Sequence, residues 1–359
     1  MSSILDSRTD IAKLDTQNML GSIESLGKQV AHAWSDVQKV TYIPTNEIQN
    51  IVVAGMGGSA LGADVIKHLF KEVLAVPFDF VNSYTLPEYV NEHSLVILSS
   101  YSGTTEEVLS CAAQAQEKNA QIMIIAAAGD LETLAKQHTY PFYKVIPTHN
   151  PSNQPRMAIG YAVFGLIGLL SAAGMLVLSK EDIDGVVATI DQVVSENTVE
   201  VPQESAPAKA LAFSMIDRNP MLVSADFLAG ALHVASNQHN ENAKALVDYK
   251  LVPEINHHLM EGLRFPKSNT SSHFFVFVNS RLFAPKLQAR MAITQKIVAS
   301  QDIEAMELTL QAPTKLQQVF ELITLFAFSS FYLSMLEGID PSPIPYVDQF
   351  KEELQKYPV

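Results

Sequence analysis

Ile51-Val52-Val53-Ala54-Gly55-Met56-Gly57-Gly58-Ser59-Ala60 decides the fold class of this chain. An apolar, β-branched run suited to a buried strand passes straight into a glycine-rich turn, and a helical pattern opens at about Ser59. Such a turn brings backbone N–H groups close to a ligand, and the positive end of the helix dipole favours an anion there. The run fits neither recurring nucleotide pattern. Ala60 stands where G-x-G-x-x-G requires its last glycine, and no Gly-Lys-Ser/Thr follows.

Around this unit the first half alternates short β-rich runs with helical ones, the pattern of a parallel sheet wrapped by helices. The spacing predicts strands over 51–54, 78–81, 94–99, 121–126 and 142–145, with helices over 59–70, 104–118 and 130–138. A further helical stretch covers 15–37. The second half repeats the rhythm less cleanly, with strands near 220–223, 273–278 and 305–310 and helices near 226–243, 284–299 and 314–336. The expected architecture is therefore two α/β units, residues 1–200 and 201–359. The segment Asn197–Pro207 is the candidate linker, following an acidic helix over 180–196.

Composition bounds the function. The 359 residues hold 24 Lys+Arg against 38 Asp+Glu, a formal charge of −14, with 47% hydrophobic and 17% charged residues. That is globular composition, and at ~150 residues per domain the length suggests two domains. Without a basic run the chain lacks the clustered cations that neutralise nucleic-acid phosphates. A small anion needs a locally built positive site. The single cysteine, Cys111, excludes an internal disulfide framework and fits a reducing compartment. The N-terminus shows no basic segment leading into an apolar one, so the expected location is the cytoplasm. Met157–Ser179 is charge-free and long enough to span a bilayer, as is Val319–Leu336 apart from Glu321, but both read as core helices of an α/β protein.

A second strand end carries chemistry. Ser94–Ser99 leads into Ser100-Tyr101-Ser102-Gly103-Thr104-Thr105-Glu106-Glu107 before another helix. One hydroxyl would serve as an N-cap. Four beside a glycine, at the carboxyl edge where doubly wound sheets bind ligands, can share a phosphate. Without a P-loop lysine, that phosphate suits a sugar phosphate better than a nucleoside triphosphate.

These two loops together resemble the sugar isomerase (SIS) domain. More closely, the chain resembles the bifunctional phosphoglucose/phosphomannose isomerases of archaea and bacteria, through Asn153-Gln154-Pro155-Arg156, Asn240-Glu241-Asn242-Ala243-Lys244, Pro253-Glu254-Ile255-Asn256-His257 and Asp340-Pro341 ahead of Phe350-Lys351. The resemblance implies two flavodoxin-like SIS domains, a homodimer, and interconversion of fructose 6-phosphate with glucose 6-phosphate and mannose 6-phosphate through a cis-enediol. That chemistry wants a carboxylate base, a cation at the developing oxyanion and a group that opens the sugar ring. By resemblance Glu241 is the base, Arg156 stabilises the enediolate, His257 opens the ring, and Lys351 assists near O5 or the phosphate. Ser59, Ser100, Ser102 and Thr105, with the amides of Gly57 and Gly58, would bind the phosphate. The route requires no metal or redox cofactor, and the His and Glu spacings around 233–258 are not those of a zinc helix.

Each residue also has a plainer reading. Glu241 would be a helix-end acid, Arg156 a flank of the apolar helix that follows, and Lys351 part of a solvated C-terminal face. Asn256-His257-His258-Leu259 stands where the family commonly shows Asn-His-Asn-Glu, a departure beside the ring-opening histidine. Two other functions share the fold: a sugar-phosphate sensor without turnover, which would need the phosphate loops but no acid/base set, and an isomerase or deaminase of an amino-sugar phosphate.

Overall fold

A computed structural model describes residues 4–357. The first half is a five-stranded parallel sheet, β1 (Asn50–Gly55), β2 (Phe78–Val81), β3 (Ser94–Ser99), β4 (Gln121–Ala126) and β5 (Phe142–Lys144), in the order β2-β1-β3-β4-β5. The second half is a four-stranded parallel sheet, β6 (Asn219–Ala225), β7 (Asp248–Val252), β8 (His273–Ser280) and β9 (Glu304–Leu310), in the order β7-β6-β8-β9. β3 and β4 are buried at every position, as a parallel sheet covered on both faces requires.

The chain leaves β1 toward β2 on one side and returns to β3 on the other. This reversal opens a crevice at the carboxyl ends of β1 and β3, where the glycine-rich and serine-rich loops meet. The strands of the first half match the sequence expectation to within a residue. β7 is a strand that the sequence reading passed over. It is short, half-exposed, at the sheet edge, and carries Asp248 and Lys250 in pairing contact, so it lacks the apolar alternation that marks a strand.

Three further features differ from the expectation. The single helical stretch over 15–37 is two helices, Met19–Glu24 and Leu26–Val37, preceded by a third, Arg8–Leu14, with the Asp15 carboxylate accepting from the N–H groups of Met19 at 2.7 Å and Leu20 at 3.0 Å. The helix expected over 226–243 is a 3₁₀ turn, an α-helix Ala229–Gln238 and a π-helical turn His239–Ala243. Asn197–Pro207 is not a free tether. Val199 and Ala206 are buried, the Asn197 side chain accepts from Ala208 N–H at 2.7 Å, and the buried Lys209 ammonium donates to the carbonyls of Val199 and Val201.

The apolar stretches become core helices. Ile159–Ala172 is almost wholly buried beneath the first sheet. Lys315–Leu336 is long and apolar enough to cross a membrane by length and composition, yet 83% of its most apolar window is buried inside the protein. It packs against helices Lys180–Asn197, Pro207–Met215 and Ala229–Gln238, so one element joins the two halves into a common core. Its buried hydroxyls are satisfied locally: Thr324, Ser330 and Ser334 each donate to a carbonyl of the same helix.

Candidate active site

The glycine-rich loop turns because Gly57 has φ +49°, a conformation that side chains rarely adopt, and the helix Gly58–Leu69 starts immediately after it. A Cβ on Gly58 would lie 3.0 Å from the backbone of Pro155 and Arg156. The loop therefore rests directly on the segment that carries Arg156. Across the crevice, the Ser59 hydroxyl accepts from Tyr101 N–H at 2.9 Å and Ser99 donates to the Ser59 carbonyl at 3.0 Å, which ties the two loops together.

The serine-rich loop closes on itself. Ser100 is buried, lies 2.7 Å from the Thr105 hydroxyl and accepts from Gly103 N–H at 3.0 Å. Thr105 precedes helix Glu106–Glu117 without its side chain capping it, so the hydroxyl faces the loop and not the helix end. Ser102 is exposed and accepts from the Thr104 N–H and hydroxyl. Ser59, Ser100, Ser102 and Thr105 thus belong to one crevice with the start of the helix at Gly57 and Gly58, with Ser100 shaping the loop from below.

Arg156 is only 1% exposed, and every arm of its guanidinium is used. Nε donates to Asn242 Oδ1 at 2.6 Å, Nη1 to Gln154 Oε1 at 2.9 Å and to Glu241 Oε2 at 3.3 Å, and Nη2 to the carbonyls of Pro341 and Ser342, both at 2.9 Å. A guanidinium bonded in this way has a fixed plane and a fixed position. Glu241 sits in the π-helical turn, a local widening that recurs at functional sites because it redirects side chains. The turn is anchored at both flanks. His239 is fully buried, its Nδ1 2.8 Å from the Ala235 carbonyl and its Nε2 3.2 Å from the Ser329 hydroxyl, while Asn242 donates to Ser330 at 3.0 Å. Burial pushes the His239 pKa down to about 4, against the Ala235 hydrogen bond, so it serves as a neutral strut.

Burial also raises the Glu241 pKa above the usual glutamate value. The charges of Arg156, Lys244 and Lys351 oppose that shift without cancelling it. Lys351 therefore reaches the electrostatic field of the site from the exposed helix Pro345–Leu354. A carboxylate with a raised pKa, in contact with a fixed cation beside a helix start whose dipole favours an anion, can take a proton from a carbon next to a carbonyl while the cation holds the charge that develops.

Residues 46–170 match the SIS domain family, and residues 204–354 match the bacterial phospho-glucose isomerase C-terminal SIS domain. Among curated relatives, the bifunctional phosphoglucose/phosphomannose isomerase of Caldicellulosiruptor bescii is 27% identical over 342 residues, covering 94% of this chain and 98% of that protein. The protein of the same name from Thermoplasma acidophilum is 27% identical over 313 residues, covering 86% and 91%. The chain belongs to the bifunctional phosphoglucose/phosphomannose isomerase family of SIS-domain proteins. Its fold is shared with a solved hypothetical protein of Thermus thermophilus, with a TM-score of 0.75 and 17% identity over 98% of this chain and 93% of that one.

Within this family member, one expected site residue stands apart. His257 lies on the exposed turn Glu254–His257 beyond the carboxyl end of β7, whereas Glu241 lies in the turn that precedes the start of that strand. Its neighbour His258 pairs with Glu254 at 2.7 Å, and Asn256 is held by Thr294 and Arg290 of helix Pro285–Ala299. Among the described residues no group of three His, Cys, Asp or Glu side chains is arranged to hold a metal ion. Sequence reasoning missed Gln154, Asn242 and Lys244 as parts of the site. All three lie within motifs it quoted, but neutral amides and a lysine near a helix end carry no signal of what they will touch.

Proposed function

We propose that this protein is an aldose–ketose isomerase that interconverts fructose 6-phosphate with glucose 6-phosphate and mannose 6-phosphate. The observation that carries the reading is the 3.3 Å contact between Glu241 and a guanidinium fixed by four other acceptors, beside two loops suited to a phosphate. The names of its relatives agree with it.

With the 6-phosphate at the helix start, the Glu241 carboxylate takes the C1 proton of open-chain fructose 6-phosphate. The electron pair forms the C1–C2 double bond, and Arg156 stabilises the charge that moves onto the C2 oxygen. The protonated Glu241 returns its proton to C2, while the hydroxyl proton on O1 leaves for O2, closing the balance at an aldehyde. Glucose 6-phosphate and mannose 6-phosphate differ at C2 and share one enediol, so the face that receives the proton selects the product. A sensor would not need the buried Arg156–Glu241 pair.

His257 completes the site as the ring-opening group, supplied by a second copy of the chain, and Lys351 lies toward O5 or the phosphate. The working unit is then a homodimer acting in the cytoplasm on the hexose phosphates of glycolysis and gluconeogenesis. The support for this is the exposed position of His257, away from Glu241, and the family resemblance.

The test is a coupled assay of purified protein with fructose 6-phosphate, following both aldose phosphates separately. Both products are expected, with kcat lowered about 10³-fold in Glu241→Gln. His257→Ala is expected to be slow, and mixing it with Glu241→Gln under subunit exchange should recover part of the wild-type rate. Saturable binding without turnover would replace this reading with the sensor, and two inactive variants that fail to complement would place His257 within its own subunit's site or outside catalysis.

A further inference from the structure

Lys244 follows the π-helical turn in the left-handed conformation, φ +53°, which swings its side chain back over the turn. The residue as a whole is exposed, yet its ammonium is ringed by four carbonyl oxygens: Glu241 at 3.0 Å, Asn242 at 3.3 Å, Asp340 at 3.2 Å and Pro341 at 3.0 Å. Two of these belong to the turn that carries Glu241. The other two belong to the loop whose Pro341 and Ser342 carbonyls receive Arg156 Nη2. The Pro341 oxygen is thus shared by both cations.

We propose that Lys244 is a positioning residue for the isomerisation: its ammonium pins the Glu241 turn to the 340–342 loop, and so fixes the distance between the proton-transferring carboxylate and the Arg156 guanidinium. This rests on the function proposed above. An ammonium has three donors and no acceptor, so four carbonyls at this spacing draw together only while it is charged. Once neutral it has only two N–H groups for the four carbonyls and turns a lone pair toward them, and carbonyl dipoles that pointed at a cation repel one another.

The groups around the ammonium are Glu241 from the π-helical turn, Arg156 from the 3₁₀ turn Pro155–Met157 and Asp340 from the loop, while Lys351 acts on Glu241 from the last helix. Burial and the Arg156 charge, against the pull of Asp340 and Glu241, bring the Lys244 pKa down to about 8. The catalytic geometry therefore loosens as pH rises through that value. Overall stability moves the other way. The folded chain releases this proton more readily than the unfolded one, so the change favours the folded state between pH 8 and the ordinary lysine range. An alkaline loss of rate is then not unfolding.

The experiment is the pH dependence of kcat and KM for fructose 6-phosphate in the wild type, Lys244→Met and Lys244→Arg. The wild type should lose rate with a midpoint near pH 8 while its melting temperature holds. Lys244→Met should lower kcat about 30- to 100-fold with KM changed less than about threefold, since a displacement of ~1 Å costs on that order. Lys244→Arg should recover most of that loss and lack the alkaline limb, because a guanidinium stays protonated. A wild-type rate that is flat through pH 9, or a Lys244→Arg variant that keeps the limb near pH 8, would overturn the inference even if Lys244→Met does not fold, and would leave the isomerase reading standing. A wild type without turnover would overturn both.

Discussion

Glu241 acts as a base only when ionised, and its surroundings pull its pKa both ways. Burial favours the protonated form, and Arg156, Lys244 and Lys351 favour the carboxylate, with a net shift upward from 4.5. The acid limb of kcat/KM is therefore expected above pH 4.5, and removing a cation should move it further up. A limb at or below the usual glutamate value would show that the cations dominate. Because the folded state binds this proton more tightly than the unfolded one, ionised Glu241 is a cost to folding at neutral pH. Glu241→Gln should consequently melt no lower than the wild type while its activity collapses, a pattern that separates catalysis from stability.

The two loops show how much an element depends on one backbone position. Gly103 has φ +74°, and a Cβ there would lie 1.7 Å from the Ala128 carbonyl oxygen, which no rotamer change can relieve. Gly103→Ala is expected to cost about 2–4 kcal/mol, from the strained φ and the backbone clash together. Urea unfolding measures it. The serine-rich loop is the part that must shift, so sugar-phosphate affinity should fall as well. A variant with wild-type stability and affinity would mean that the loop relaxes freely, which the Ser100 hydrogen bonds to Gly103 and Thr105 argue against.

At the scale of the whole molecule, the halves meet where helix Gly58–Leu69 crosses helix Ala229–Gln238. A Cβ on Gly230 would lie 2.5 Å from the backbone of Asp64 and Val65, so the helices touch backbone to backbone. Beside this contact the buried Asp64 carboxylate receives His68 Nδ1 at 3.0 Å and His233 Nδ1 at 2.7 Å, and His233 stacks on Tyr249 of β7. Burial pushes the Asp64 pKa up, but the hydrogen bonds and charges of His233 and His68 outweigh it and hold the carboxyl well below the usual range. The His68 pKa is raised by the same contact. Stability from the raised histidine is full below pH ~6.5 and is lost as pH rises through its folded value. Stability from the lowered carboxylate is full above pH ~4 and is lost as pH falls. Asp64→Asn should thus destabilise the protein by about 3 kcal/mol near pH 6, as removal of one partner of a buried pair does, and by less at pH 9. An equal loss at both pH values would show that charge plays no part in this junction.

The two parallel sheets and the crevice at the ends of β1 and β3 were legible in the sequence, whereas Glu241 and Arg156 stood out only through the resemblance to a family. The sheets follow from local patterns: buried strands are continuous apolar runs, and a glycine turn between a strand and a helix start marks a place that favours an anion. β7 was illegible because an edge strand needs no apolar alternation. The π-helical turn was illegible because its cause lies in Ser329 and Ser330, far along the chain on another helix. The tertiary structure was needed to show that Lys244 and Arg156 share one carbonyl, and that Glu241 and His257 lie at opposite ends of β7. The reason is physical: a pattern in sequence fixes which face of an element is apolar, whereas the partner of a polar side chain depends on which distant segments packing brings within hydrogen-bond reach.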